Sequence, residues 1–384
     1  MSVFAETIRA IKSIHNVQEN FLPLHAPVFA GNERAYVLDT IDSTFVSSVG
    51  EYVTRFERML EEYTGARHVV VCVNGTAALH MALFLAGVTT GDLVITQALS
   101  FIATANAICH AGAEPVFLDV DESTLSLSSE SLQAFLVREC HKTHTGCVHT
   151  VSGKRIAACV PMHTFGFACK IKELCALCEE WGIPLVEDAA ESLGSTQDGQ
   201  HCGTFGLLGS LSFNGNKIVT TGGGGAIITN DPEIAARAKH LTTTAKQPHR
   251  WEFRHDAVAW NYRMPNINAA LGCAQLERLN EFVKYKRQLA ASYAALFRDT
   301  PWTFLEEPAG CRSNYWLCSV LFQNREERDA FLTASNDAGV MTRPVWGLQN
   351  RQSPYVDCRC MPLPVAEAIA ARLVNIPSGC GGAA

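Results

Sequence analysis

The chain has 384 residues, of which 47% are hydrophobic and 18% charged, and its formal net charge is −7. This length and composition allow a large buried core, commonly in more than one domain, and exclude an intrinsically disordered protein. The acidic balance, without any block of lysine and arginine, argues against nucleic acid as a partner.

The amino-terminal residues 1–20 predict a short amphipathic helix. They lack the basic start followed by an apolar core that marks a signal peptide. The longest mostly apolar stretch, residues 77–88, contains His80 and is too short to span a bilayer. We therefore expect a cytoplasmic protein that has no membrane partner.

Strand-like and helix-like segments alternate from about residue 67 to residue 230. The strand-like segments lack clean alternation of polar and apolar residues, which is typical of strands buried on both faces. They lie at 69–73, 93–95, 114–118, 157–160 and 185–187. Helical segments such as 170–181 separate them, and this order favours an α/β fold with a mainly parallel sheet.

The pattern changes after Pro265. Residues 268–297 predict one long helix with alternating charges, followed by a strand at 316–322 and a helix at 326–338. These elements favour a smaller α+β domain. The predicted organisation is therefore an amino-terminal helix at 1–20, a large domain at 21–265 and a small domain at 266–384.

Metal or redox chemistry is the weaker interpretation of the cysteines and histidines. Zinc-ligand residue types crowd one polar segment, but their spacing matches no standard zinc site, and a solvated loop insertion explains them better. These residues are His141, His144, Cys147 and His149. Cys175 and Cys178 form a CxxC pair on one face of a predicted helix without a second pair, which favours core packing. We predict no metal site.

Asn74, Gly75 and Thr76 follow a predicted strand and open a predicted helix. Free amides at a helix start bind phosphate, and glycine lets the backbone approach closely. Taken alone, an ordinary strand–turn–helix junction explains this motif better. Ser212 offers a hydroxyl to a phosphate, and the glycines at 222–225 lack the flanking strand and helix of a nucleotide loop.

Asp188 and Lys217 carry the strongest chemical signal. Asp188 ends an apolar strand, where its carboxylate can pair with a pyridinium nitrogen or can cap a helix. Lys217 can form a Schiff base with an aldehyde, or it is a surface lysine beside a glycine-rich turn. Together they supply the two functions that a protein needs in order to use pyridoxal phosphate (PLP).

These segments together resemble the sugar-aminotransferase family of DegT/DnrJ/EryC1/StrS type, over about residues 24–378. The motifs that carry the resemblance are Phe56-Glu57, 74–79, 100–106, 112–119, 187–190, 212–217 and 261–264. The resemblance implies PLP fold type I, which is aspartate-aminotransferase-like: a mainly parallel sheet is sandwiched by helices, with a smaller carboxyl-terminal α+β domain. The tail at 379–384 has no counterpart in the family pattern, and we expect it to be disordered.

The resemblance also implies a role for each matching residue. Lys217 would bind the cofactor covalently and move protons, and Asp188 would pair with its ring nitrogen. Gly75, Thr76 and Ser212 would bind the cofactor phosphate, Phe101 would stack on the ring, and Glu191 would lie near the ring hydroxyl, where many relatives have glutamine. Asn261 would reach the phosphate of the neighbouring subunit's cofactor, which implies a homodimer with shared active sites.

A finer resemblance is to the C4 aminotransferases of the legionaminic-acid and bacillosamine pathways. It rests on 212–225, on the insertion at 140–154, and on 342–346 with 374–378. It implies transfer of an amino group from glutamate to the C4 keto group of UDP-2-acetamido-4-keto-2,6-dideoxyhexose, in bacterial surface-glycan biosynthesis.

Three alternatives remain: a GDP-perosamine-type aminotransferase, a PLP-dependent sugar dehydratase and a regulatory protein that keeps the fold. Relatives that act as dehydratases replace the lysine with histidine, so Lys217 argues against that alternative, and no DNA-binding segment supports regulation. Candidate contacts to the nucleotide-sugar substrate are Ser47, Ser48, His163, Tyr315 and Arg343, each of which is equally well a structural polar group.

Overall fold

The computed structural model describes residues 3–18, 20–144 and 146–381, with only the backbone of Val3. The helices in this part of the chain are α1 Val3–Ile14, α2 Glu33–Asp42, α3 Glu51–Thr64, α4 Gly75–Leu85, α5 Ile102–His110, α6 Ser129–Glu139, α7 Ile171–Trp181, α8 Pro232–Thr242, α9 Asn266–Glu277, α10 Leu279–Phe297, α11 Arg325–Asp337 and α12 Pro364–Arg372. Residues 382–384 of the predicted tail lie outside the described residues.

The strands in the same part of the chain are β1 His68–Cys72, β2 Leu93–Gln97, β3 Glu114–Leu118, β4 Cys140–Thr143, β5 Gly146–His149, β6 Ile156–Val160, β7 Val186–Asp188, β8 Thr196–Gln197, β9 Gln200–His201, β10 Leu208–Ser212, β11 Gly225–Thr229, β12 Lys246–Gln247, β13 Arg254–His255, β14 Thr303–Phe304, β15 Cys311–Arg312, β16 Cys318–Leu321, β17 Arg343–Pro344 and β18 Leu373–Ile376.

A central sheet has the strand order β1–β11–β10–β7–β6–β2–β3. Two hydrogen-bonded groups, β1–β11–β10–β7 and β3–β2–β6, are joined by parallel bridges from Cys159 to Leu185 and from Met162 to Asp188. The pairs β10–β7, β2–β3 and β2–β6 are parallel, whereas β11 runs antiparallel to both β1 and β10. The prediction of a mainly parallel α/β sheet is confirmed.

Because of the strand directions, several candidate site residues lie at one edge of the sheet. Because β11 is antiparallel to both neighbours, β1, β10 and β7 all run the same way and their carboxyl ends lie together. Asp188 and Ser212 are the last residues of β7 and β10, and Asn74 follows β1. Gly225 faces both Cys72 and Ser212 in the register, and a Cβ there would lie 2.5 Å from the Asn74 carbonyl carbon.

Both faces of the central sheet are buried by helices. Along β1, Val70 and Cys72 pack in the cluster that contains α4, while Val69 and Val71 pack in the cluster that contains α3 and α9. This burial on two faces explains why the strands read as continuous apolar runs, and it gives the site edge a rigid base.

A smaller antiparallel sheet, β14–β16–β18–β17, packs against α10 and α11. The predicted strand at 316–322 corresponds to β16 and the predicted helix at 326–338 to α11. Helix α1 contacts α10 and α11, whereas α9 contacts α2 and α3. The domain limits at 20/21 and 265/266 stay a prediction, and the packing changes from the large core to the small one along α10.

The predicted single helix over 268–297 is wrong. Arg278, with φ −103° and ψ 1°, separates α9 from α10. Its amide donates to the Gln275 carbonyl at 3.1 Å, and its own carbonyl accepts from Glu281 and Phe282 as a new helix starts. The break lets α9 bury one face against α2 and α3 while α10 runs on to the small sheet.

The predicted loop insertion with histidines and cysteines is a β-hairpin. Strands β4 and β5 pair from Cys140 opposite His149 to Thr143 opposite Gly146. His149 is buried, stacks on Phe135 and bonds to Ser152 through Nδ1. Thr145 lies outside the described residues. Within the described ranges, no group of three or more His, Cys, Asp or Glu side chains is placed to hold a metal ion.

On α7, Cys178 is buried in the core and Cys175 is half-buried against it, as the packing interpretation of the CxxC pair predicts. Within residues 3–18, 20–144 and 146–381, no helix has both the length and the apolar character needed to cross a membrane.

Candidate active site

A cavity of about 310 Å³ opens at the carboxyl edge of the central sheet. Its walls come from the ends of β1, β7 and β10, from the start of α4 and α5, and from the loops before β16 and after β17. Seven of the predicted site residues line it: Gly75, Thr76, Phe101, Asp188, Glu191, Ser212 and Lys217. The fold therefore brings together residues that lie up to 142 positions apart in the sequence.

The start of α4 forms an anion-binding end of this cavity. Asn74 caps the helix by accepting the Ala77 amide at 2.8 Å. The first amides of a helix have no partner within the helix, so those of Gly75 and Thr76 are free to bind an anion at the positive end of the helix dipole. A Cβ on Gly75 would lie 2.8 Å from the Ser212 Cβ and 3.0 Å from its hydroxyl. Glycine thus lets the helix start approach Ser212 closely enough to share one phosphate.

Ser212→Ala is expected to weaken PLP binding about 10-fold or more, because one hydrogen bond to a charged phosphate is lost. Titration of the cofactor-free protein with PLP measures the change. Ser210→Ala, two residues earlier on β10 and outside the cavity wall, serves as the matched control and leaves the affinity unchanged. Equal affinities for Ser212→Ala and the wild type would remove Ser212 from the phosphate site.

Asp188 presents a buried carboxylate to the cavity. The residue is 4% exposed, and its Oδ2 accepts a hydrogen bond from the Thr104 hydroxyl at 2.7 Å. Its Oδ1 accepts the Ala190 amide at 3.2 Å. Burial raises the pKa of Asp188, and these two donors oppose that rise. No helix follows β7 in the described chain before β8, so the helix-cap alternative does not apply.

Lys217 is a cavity residue rather than a surface lysine. Its Nζ lies 3.1 Å from the Glu191 Oε1 and 3.9 Å from the centre of the Trp316 ring, over the ring face. The Lys217 side chain is 10% exposed and the Glu191 side chain 1%. Burial raises the pKa of Glu191 to about 7, and the neighbouring Lys217 ammonium limits that rise.

Aromatic rings form the open wall of the cavity. Phe101 is half exposed at the start of α5, and its ring centre lies 6.0 Å from that of Trp346. Trp346 packs in turn on Phe165 at 4.9 Å. The Trp316 indole nitrogen donates to the Asn216 carbonyl at 2.7 Å, which fixes that ring beneath Lys217. Such a wall suits a flat ring between apolar faces.

Among the residues of this site that sequence reasoning missed are Thr104 and Trp316. Thr104 lies within the 100–106 motif, but its hydrogen bond reaches across 84 residues to Asp188. Trp316 begins a segment that predicts a strand, and no local pattern distinguishes a cavity-lining tryptophan from a core one. Only tertiary packing assigns either role.

Two of the predicted substrate contacts, His163 and Tyr315, are buried among other side chains and do not lie at the cavity. His163 is fully buried, with its Nε2 donating to the Glu187 Oε2 at 2.9 Å and its Nδ1 accepting the Cys169 amide. Tyr315 is also buried, and its hydroxyl accepts the Glu307 amide at 3.0 Å. Neither lines the cavity. Both are structural polar groups, which the sequence pattern allowed equally.

Four other predicted residues are outside the cavity wall. Ser47 is exposed and Ser48 is half-buried in the segment after α2, and Arg343 is exposed on β17, where it bonds to Asn336. Asn261 is exposed too, and its Oδ1 accepts the Arg263 guanidinium at 2.8 Å. Their roles stay predictions, and Asn261 does not line the cavity of its own chain.

The cavity residues fit PLP. The Gly75–Ser212 approach forms a cradle for a phosphate that an added Cβ would fill, Asp188 supplies a carboxylate for the ring nitrogen, and Lys217 supplies an amine for the aldehyde. These are the three chemically distinct ends of the cofactor.

Comparisons with known proteins agree with this geometry. Residues 28–381 match the DegT/DnrJ/EryC1/StrS aminotransferase family. The GDP-perosamine synthase of Vibrio cholerae is 34% identical over 360 residues, which are 93% of this chain and 94% of that protein.

Solved structures are similar over the same span. A DegT DnrJ EryC1 StrS aminotransferase from Brucella abortus is 29% identical with a TM-score of 0.82, covering 91% of this chain and 90% of that one. The E. coli GDP-4-keto-6-deoxy-D-mannose-3-dehydratase with bound hydrated PLP is 22% identical with a TM-score of 0.82, covering 94% of this chain and 96% of that one, and shows the shared fold. The chain therefore belongs to the DegT/DnrJ/EryC1/StrS aminotransferase family and is a PLP-dependent sugar aminotransferase of fold type I.

Proposed function

We propose that the protein transfers the amino group of glutamate to the C4 keto group of a nucleotide-linked 4-keto-6-deoxy sugar. The observation that carries this proposal is the placement of Lys217 and Asp188 on one cavity whose far end can hold a phosphate. The reaction exchanges an amine for a carbonyl oxygen, so glutamate and the keto sugar give 2-oxoglutarate and the amino sugar.

PLP, when bound, supplies an electron sink for the carbon that loses or gains a proton during amino transfer. The chain's own residues do the rest. The start of α4 and Ser212 would bind the phosphate, and Thr104 holds the Asp188 carboxylate that would pair with the ring nitrogen. Asp188 would keep that nitrogen protonated, and the Lys217 Nζ would take a proton from the Cα of glutamate in the first half-reaction and deliver a proton to C4 of the sugar in the second.

A GDP-linked sugar is the first acceptor to test. The GDP-perosamine synthases of Vibrio cholerae and Escherichia coli O157:H7 are 34% and 33% identical to this chain and align with 93% of it. These relatives favour the GDP alternative over the finer resemblance to legionaminic-acid and bacillosamine enzymes. The UDP-2-acetamido sugar stays the second candidate, because Glu191 is a carboxylate where many relatives have glutamine. For either acceptor, we place the product in polysaccharide biosynthesis.

A labelled-nitrogen assay decides between these acceptors. We expect the protein, loaded with PLP and given ¹⁵N-glutamate, to transfer the label to a GDP-linked 4-keto-6-deoxyhexose faster than to UDP-2-acetamido-4-keto-2,6-dideoxyhexose. Mass spectrometry of the sugar product measures the label. The reverse preference would favour the UDP sugar, and loss of water from the sugar without any glutamate would indicate a dehydratase.

We also propose a homodimer with shared active sites. Apolar side chains are exposed along α2 and the segment after it, where Ser47 and Ser48 lie, among them Leu38, Ile41, Phe45 and Val49. Others are exposed on the segment before Asn261, namely Trp251, Phe253 and Val258. Exposed apolar patches mark protein–protein contacts. A second copy seated on these surfaces would bring Asn261 to its partner's phosphate end.

A cytoplasmic location stays a prediction. All fifteen cysteines are free, which is typical of proteins in a reducing compartment.

A further inference from the structure

Glu191 and Lys217 form a charge pair that is almost withdrawn from water. The Nζ–Oε1 distance is 3.1 Å, and the side chains are 10% and 1% exposed. Charges in such surroundings interact far more strongly than charges at a surface, because little solvent screens them. The state of one group therefore affects the proton affinity of the other.

The Glu191 carboxylate is fixed from its other side. Its Oε2 accepts the Phe165 amide at 2.9 Å, and Phe165 holds a left-handed backbone with φ of 57°. The Glu191 carbonyl accepts the Asn314 side-chain amide at 2.9 Å. Because both ends of the residue are held, the carboxylate stays beside the Lys217 Nζ.

Other charged or titratable groups face this pair from several elements. Asp188, at the end of β7, raises the pKa of Glu191, and Lys217 lowers it. His25, whose ring nitrogens are buried and have no hydrogen-bond partner in the described chain, has its pKa lowered by burial, then by Lys286 and Lys217. The centre of the Trp316 ring lies 3.9 Å from the Lys217 Nζ. Glu191 is the anion in direct contact with the lysine.

We propose that Glu191 is the counter-ion that stabilises the protonated state of Lys217 and so sets the pH at which the free amine becomes available. This rests on the proposed function in one respect, since amino transfer requires Lys217 to alternate between amine and ammonium. When the Nζ takes up a proton, its lone pair becomes an N–H bond and the nitrogen gains a positive charge. The Glu191 carboxylate keeps its negative charge and forms no bond beyond the hydrogen bond.

Removing the charge of Glu191 is expected to lower the pH at which the Lys217 ammonium loses its proton. Glu191→Gln keeps the shape and an oxygen acceptor but removes the negative charge, so the ammonium loses its partner and gives up its proton at lower pH. Loss of a hydrogen bond between charged groups corresponds to a shift of about 1 to 2 pH units. Since the pKa of Glu191 lies at about 7, its charge is present above that pH and is lost as the pH falls through it. The difference between variant and wild type is therefore largest above neutral pH.

The test uses the cofactor-free protein. Wild type, Glu191→Gln and Glu191→Asp are reductively methylated with formaldehyde and a borane reagent between about pH 6 and 10, and modification at Lys217 is quantified by peptide mass spectrometry. We expect the midpoint for Lys217 to fall by about 1 to 2 pH units in Glu191→Gln, with a smaller shift in Glu191→Asp. The exposed Lys284 in the same samples is the internal reference and does not shift.

An unchanged or raised Lys217 midpoint in a folded Glu191→Gln protein would overturn the proposal. Circular dichroism establishes that the variant is folded. If it is not, Glu191→Asp carries the test, and its Lys217 midpoint must then lie below that of the wild type. Because labelling needs neither cofactor nor sugar, a shifted midpoint without ¹⁵N transfer would leave the counter-ion role standing and reject the proposed function alone.

Discussion

Lys217→Ala is expected to lower kcat for ¹⁵N transfer by about 10⁴-fold or more, because the variant loses both the amine that binds the cofactor covalently and the group that moves the proton. In the described part of the chain, the Lys217 amine contacts Glu191 and Trp316. Its removal therefore leaves the rest of the cavity wall in place. We also expect PLP to be lost from the variant on dialysis while the wild type retains it. Turnover measured by mass spectrometry and cofactor content measured by absorbance check the two effects.

The control for this substitution is Lys172→Ala. Lys172 is an exposed lysine on α7 that pairs with Asp198 and lies outside the cavity wall, so its loss leaves kcat unchanged. Lys217→Arg separates the two roles of the lysine, since it keeps the positive charge beside Glu191 but cannot bind an aldehyde as an amine does. Wild-type turnover by either Lys217 variant would reject the assignment.

Mixed dimers extend this prediction to the proposed second subunit. A dimer of one Lys217→Ala subunit and one Asn261→Ala subunit contains one site with both residues intact and one site with neither. Equal mixing with full subunit exchange is expected to give about one quarter of wild-type activity, since half of the dimers are mixed and each has one complete site. Activity no higher than the average of the two unmixed variants would argue against sharing of sites.

The sequence predicted those parts of the site that depend on local order along the chain. Asp188 ends an apolar strand, Gly75 opens a helix after another strand, and both features are visible within a few residues. Carboxyl ends of parallel strands share one edge of a sheet, so the common location of these residues follows once the strands are recognised. The antiparallel course of β11 did not alter that edge, because it leaves β1 and β10 parallel to each other.

The remaining features depend on contacts between distant segments. The Thr104–Asp188 hydrogen bond, the Trp316 ring under Lys217 and the burial of His163 against Glu187 all join separate elements. The local sequence around a polar residue does not show whether its side chain contacts a ligand or another buried side chain. The break at Arg278 has the same origin, since each half of 266–297 remains a good helix and only their different packing partners require the interruption.

Asp188→Asn is expected to lower kcat by about 10²- to 10⁴-fold while leaving PLP bound. An amide of the same size keeps the contact with the Thr104 hydroxyl, yet it carries no negative charge to stabilise a protonated ring nitrogen. The phosphate cradle and Lys217 are untouched, so cofactor content after dialysis stays close to that of the wild type. Asp198→Asn, an exposed aspartate beside Lys172, is the control and leaves kcat unchanged.

Thr104→Val separates the effect on kcat of the position of the Asp188 carboxylate from the effect of its charge. Valine fills the same volume without the hydroxyl, so Oδ2 loses its donor at 2.7 Å while the negative charge remains. We expect a loss of about 10-fold in kcat, smaller than that of Asp188→Asn, because a charged group misplaced within the site still acts in part. If Thr104→Val lowers kcat as far as Asp188→Asn does, the orientation of the carboxylate accounts for the whole loss of kcat. If Asp188→Asn instead keeps the wild-type kcat, protonation of the ring nitrogen does not depend on Asp188.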